Sequence, residues 1–172
     1  IVFEGIRLSY GTDSISASVA AFNGVGVSEE STGAARDSND LDYEIAITFN
    51  GIDNLSLTAG VVAINASEAA VTAGIDADSE IFNIHAAYTL DKLLLAAEYT
   101  NIDVDGANDD LSAYLLLADY DFNDKMGIAV RFSEWETNGG ESDRITLAPN
   151  YAITESLGAI LEYSSSEDAN NN

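Results

Sequence analysis

The sequence contains no cysteine, so it can form neither a disulfide nor a thiolate metal site. Lysine and arginine number six against thirty acids, a formal charge of −24. So few cations argue against nucleic acid as a partner, because phosphate contacts need Lys and Arg. There is no run of eighteen apolar residues, and hence no transmembrane helix. One proline, one histidine and one tryptophan complete the scarcities. A strongly acidic chain is often disordered. Here 47% hydrophobic content and regular alternation oppose that. The chain opens at Ile1 inside a strand-like pattern and closes on a polar, asparagine-rich tail. It reads as a piece of a longer protein, a single domain over 1–172 with both ends incomplete.

Period-two alternation is what the sequence has in abundance. In 114–132, Tyr114, Leu116, Ala118, Tyr120 and Phe122 share one face, with Leu115, Leu117, Asp119 and Asp121 on the other. After Asn123-Asp-Lys the pattern restarts, Met126, Ile128, Val130 and Phe132 against Gly127, Ala129 and Arg131. This is a β-hairpin with one apolar and one mixed face. The chain repeats it. Five short turns each follow an aromatic, Tyr10, Phe49, Tyr88, Tyr120 and Tyr151. Longer polar connections are expected near 28–40, 66–79, 103–110 and 136–143. Ten strands follow, near 2–11, 14–24, 41–51, 54–65, 80–90, 93–103, 110–122, 126–136, 144–153 and 157–165.

Alternation alone does not say which solvent the apolar face meets. A soluble sandwich points it into a shared core, and an outer-membrane barrel points it at lipid around a polar lumen. Alternating short and long connections suit an up-and-down meander. The five aromatics before the short turns suit an interfacial girdle. Strands of nine to eleven residues match a tilted transmembrane strand. The expected fold is therefore all-β, a transmembrane antiparallel up-and-down β-barrel with about ten strands in this segment.

The tracts Tyr151-Ala-Ile-Thr-Glu-Ser-Leu-Gly and Tyr120-Asp-Phe-Asn-Asp-Lys-Met, and Leu161-Glu-Tyr before an acidic stretch, resemble Gram-negative outer-membrane porins. The likeness spans essentially the whole chain and is one of pattern, with no invariant motif. It implies a barrel of the bacterial outer membrane, short turns on the periplasmic side, long loops outside, and often a homotrimer. The chain departs from the usual porin in ending on Asn172 rather than an aromatic, and in having fewer strands.

On the barrel reading the lumen receives Arg7, His85, Arg131 and Arg144, with the acids Asp42, Glu44, Glu98, Asp119, Asp121 and Glu162. Fixed charges in a pore set ion preference, and the excess of acids predicts a preference for cations. The same residues could instead pair across strands and simply fill a wet wall. His85 shows no Ser-His-Asp spacing and reads as a bystander, so no catalysis is expected. Asp103, Asp105 and Asp109 around Gly106 resemble the start of a calcium loop, without the glutamate that would close it. A solvated loop is the plainer reading, and no other cofactor is expected. Trp135 reads as rim packing. Pro149, inside a strand, predicts a local irregularity. The resulting function is passive diffusion of small hydrophilic solutes and ions across the outer membrane, with lipid against the apolar face. A structural or adhesive barrel that binds a partner through its loops, and a soluble sandwich binding module, are the alternatives.

Overall fold

A computed structural model describes residues 4–23, 41–66, 77–107, 110–137 and 140–168. The strands are β1 (Glu4–Gly11), β2 (Ile15–Asn23), β3 (Asp42–Ile52), β4 (Leu55–Ile64), β5 (Ser79–Leu90), β6 (Leu93–Val104), β7 (Leu111–Asn123), β8 (Met126–Thr137), β9 (Gly140–Thr154), β10 (Leu157–Ile160) and β11 (Tyr163–Asp168). They form one sheet in chain order, each strand antiparallel to the next, with β10 and β11 both paired to β9. Among the described residues no pairing joins β1 to the far edge. The short turns are tight; Asn54 and Asp91 adopt φ of 64° and 50° there, a left-handed conformation that Asn and Asp tolerate.

The sheet is a single layer. On β3, Asp42, Glu44, Ala46 and Thr48 are buried or half-buried, while Tyr43, Ile45 and Ile47 are exposed. That ordering is the reverse of a water-soluble core. The fully buried apolar residues among those described are only Ala20 and Ala66, whereas Ile6, Leu8, Ile45, Leu116 and Ile145 are among many large apolar side chains left uncovered. Among the described residues no second sheet packs on them, which removes the sandwich. The polar face is the less exposed and the apolar face the more exposed, the asymmetry of a sheet curved towards its polar side.

Register carries a regular stagger. Tyr10 aligns through Ala17 with Ile47, and Phe49 lies two residues nearer the turn. Phe49 aligns through Leu57 with Ala86, two before Tyr88. Tyr88 aligns through Leu95 with Ala118, two before Tyr120. Tyr120 aligns through Ile128 with Pro149, two before Tyr151. Each hairpin thus shifts by two residues, or one per strand. A barrel whose shear equals its strand number tilts its strands by about 36°. At that tilt the five aromatics lie at one depth.

Two expectations need correction. The connection expected over 136–143 is mostly strand: β8 and β9 pair as far as Glu136 with Glu141 and Thr137 with Gly140. The tenth strand is interrupted, becoming β10 and β11. Leu161 N donates to Pro149 O at 3.0 Å; proline has no N–H to return the bond, and the ladder lapses at 161–162.

Candidate functional site: the concave face

Depth can be counted in residues above the aromatic ring. Arg7 and His85 lie three residues before Tyr10 and Tyr88, and Glu44 lies five before Phe49. Glu98, Arg131 and Glu162 each lie five after the first residue of their upward run, Leu93, Met126 and Leu157. Those first residues sit one below the ring in the staggered register. All six charged or titratable positions therefore fall within three to five residues above the ring, at mid-wall, with side-chain parity towards the concave face. Asp119 and Asp121 flank Tyr120 lower down, and Arg144 lies seven residues above Tyr151.

Short side chains between the long ones allow them to meet. Arg7 Nη2 donates to Glu44 Oε2 at 2.9 Å across β2. Asn83 Nδ2 donates to Glu98 Oε1 at 2.7 Å and to Thr100 Oγ1 at 2.8 Å. His85 Nδ1 lies 3.4 Å from Asn83 Oδ1, so the imidazole neighbours an amide whose other end holds the carboxylate of Glu98. Thr48 and Thr58 hydroxyls pair at 3.0 Å. Arg144 stacks over Trp135, 5.3 Å from guanidinium carbon to ring centre, a cation–π contact at the upper rim. Gly127 is buried between Asp121 and Asn150. Asp119 Oδ1 and Thr146 Oγ1 are buried without a hydrogen-bond partner among the described groups.

Asp42 shares the face of Glu44 on β3 but is closed off from solvent. It is 0% exposed, and its Oδ1 accepts from Asn65 N at 2.9 Å. Nearby, Asp78 Oδ1 accepts from Ala66 N at 2.7 Å. A carboxylate that receives backbone N–H groups satisfies donors where a strand ends. Asp42 therefore ties the start of β3 to the end of β4, which alternation could not reveal. Of the calcium candidates, Asp103 belongs to β6 and pairs with Glu80. Asp105 donates its backbone N–H to Asp78 O at 2.9 Å, Gly106 takes φ 81°, and Asp109 lies outside the described residues. No group of three or more His, Asp or Glu positioned for a metal occurs among the described residues.

The convex face carries a second aromatic ring that the sequence reading missed. Tyr43, Phe82 and Tyr114 precede Phe49, Tyr88 and Tyr120 by six residues, and Tyr99, Phe132 and Tyr163 follow Leu93, Met126 and Leu157 by six. Phe82 meets Tyr99 at 6.5 Å between centroids, and Tyr114 meets Phe132 at 5.8 Å. The aromatic–x5–aromatic spacing was the available signal. Just above it the outward carboxylates begin: Glu80, Asp103, Glu134 and Asp143, with Tyr114 Oη donating to Glu134 Oε2 at 2.8 Å. On β7 the band from Phe122 to Tyr114 is about 21 Å tall at ~3.3 Å per residue and this tilt. Outer-membrane barrels show an apolar band of roughly 25 Å between aromatic girdles.

Among curated proteins no sequence matches the chain. Solved structures share its fold. OmpT of Vibrio cholerae, expressed in the outer membrane, is 20% identical with a TM-score of 0.59 over 94% of this chain and 53% of its own. In-vitro folded OmpT of the same organism, in a trimer form, is 20% identical with a TM-score of 0.61 over 95% and 54%. OccAB4 of Acinetobacter baumannii is 13% identical with a TM-score of 0.61 over 96% and 49%. The chain thus spans about half the length of these barrels. The sequence model of the Gram-negative porins matches residues 4–171. The chain belongs to the Gram-negative porin family of the bacterial outer membrane, with the antiparallel sheet of an outer-membrane β-barrel.

Proposed function

We propose that this chain supplies part of the wall of a passive diffusion channel for small hydrophilic solutes and ions, preferring cations and working as a homotrimer. The observation that carries the reading is the inverted burial of the sheet, with charges at mid-wall on the concave side and uncovered apolar residues on the convex side. Charges at that depth are tolerable only against water. Arg7 and Glu44 cancel within one ion pair. Glu98, Asp119, Asp121 and Glu162 then outnumber Arg131 and Arg144, and an excess of fixed acids raises the local concentration of cations. Passive diffusion needs no catalytic group and no cofactor. The trimer is supported by the fold shared with OmpT, for which a trimer form is solved.

Planar-bilayer recording on the purified full-length barrel tests this. Stepwise conductance is expected, with a reversal potential under a KCl gradient of the sign for cation passage. Folded protein that leaves bilayers silent removes the channel, and an anion-selective potential removes the preference.

A further inference from the structure

One depth on the convex face is occupied in a pattern that lipid does not require. It lies two residues before the aromatic ring on downward strands and four after the first residue of upward ones. Around the wall it reads Leu8, Val19, Ile47, then Ala59, Ala86, Ala97, Ala118, then Val130, Pro149, Leu161. The register holds these positions level. Three bulky residues on β1–β3 therefore stand beside four alanines on β4–β7. Where the alanines lie, the surface sinks into a furrow of about 530 Å³ whose floor includes Ala86, Ala97 and Ala118. Leu116 and Phe132 form its upper lip and Tyr88 its lower one. Leu8, Val19 and Ile47 are 65%, 46% and 50% exposed, a ridge that no other part of the described sheet covers.

We infer that the ridge Leu8–Val19–Ile47 of one copy seats in the furrow floored by Ala86, Ala97 and Ala118 of the next. This rests on the trimeric reading above and assigns the faces involved. A ring of copies turns about an axis along the membrane normal, and that rotation preserves depth. A contact that closes such a ring joins two different patches of the chain at one level. Ridge and furrow meet that condition, and the small residues let two sheets approach closely, as small residues do between membrane helices. The furrow crosses β5 to β8, with Leu116 and Phe132 on its upper side and Tyr88 and Leu95 on its lower side.

Residues 1–172 contain no cysteine, so any thiol within this stretch is an introduced one. Leu8 and Ala97 lie five strands apart, about 24 Å at ~4.8 Å per strand, so a short bis-maleimide can join them only between copies. In the full-length protein in outer membranes, L8C/A97C is expected to give cross-linked dimers and trimers, and L147C/A97C only monomers. A97F is expected to leave the heat-modifiable barrel intact and release monomers on native gels. Trimers that persist in A97F, or that cross-link with L147C/A97C and not with L8C/A97C, overturn the assignment while leaving the trimer standing. A wild-type protein that runs as a folded monomer with phospholipid retained in native mass spectrometry overturns the trimeric reading itself, and the furrow is then a lipid surface.

Discussion

Arg7 and Glu44 close over Ala20. Their 2.9 Å bridge spans the strand between them, Ala20 pairs with both, and Ala20 is 6% exposed beneath it. Two charged side chains can join over a neighbouring strand only where the middle side chain is short. The bridge binds the first three strands on their wet side and neutralises two mid-wall charges.

Glu44→Gln is expected to leave Arg7 as an uncancelled cation. Because the Arg7 side chain is 53% exposed, the stability change should stay within about 1 kcal/mol. Permeability should shift towards anions, read as a smaller reversal potential under a KCl gradient. An unchanged potential would put the pair outside the ion path.

Leu116 and Leu117 are adjacent and face opposite solvents. Leu116→Arg places a charge in the apolar band, at a cost of roughly 2–4 kcal/mol for a barrel, and should lower the folded fraction in urea titrations of vesicle-inserted protein. Leu117→Arg faces the lumen and should fold nearly as the parent does. Equal effects would contradict the assigned orientation.

Pro149→Val supplies the missing N–H opposite Leu161. One restored ladder bond is worth about 0.5–1.5 kcal/mol. Slower amide exchange is expected at 161–162, where β10 and β11 should merge into one strand. No gain in protection would mean that something other than the proline breaks the ladder.

Gly5 and Gly158 should respond differently to alanine. A Cβ on Gly5 would lie 2.5 Å from Phe22 Cβ and 2.6 Å from Ala21 O, whereas on Gly158 its nearest neighbour would be Tyr151 O at 3.7 Å. Gly5→Ala should cost about 1–3 kcal/mol through displaced backbone, and Gly158→Ala close to nothing, both measured as unfolding midpoints in detergent.

The expected strands over 41–51, 54–65, 80–90, 93–103, 110–122 and 126–136 match β3 to β8 within one or two residues. Alternation and Asn/Asp turn residues are local signals that no tertiary contact overrides here. Parity also groups Arg7, Glu44, His85, Glu98 and Arg131 on one face of their strands. The ninth strand begins four residues earlier than alternation suggested, because polar residues at 140–143 sit in the ladder above the apolar band. The burial of Asp42 was not legible for a related reason: parity gives a side chain's face, but its contact with Asn65 comes from beyond its own strand.

By itself, then, the sequence determined which residues share a face and where the chain turns, because a strand's period of two is written residue by residue. It also excluded thiol chemistry and membrane-spanning helices. Depth was left to the tertiary structure. How high a residue stands depends on how each strand is slid against its neighbour, a property of the hydrogen-bonded ladder and not of any strand alone. The one-residue stagger turned five separate aromatics into a level ring, revealed a second ring above it, and set Leu8 and Ala97 at the same height on different parts of the wall.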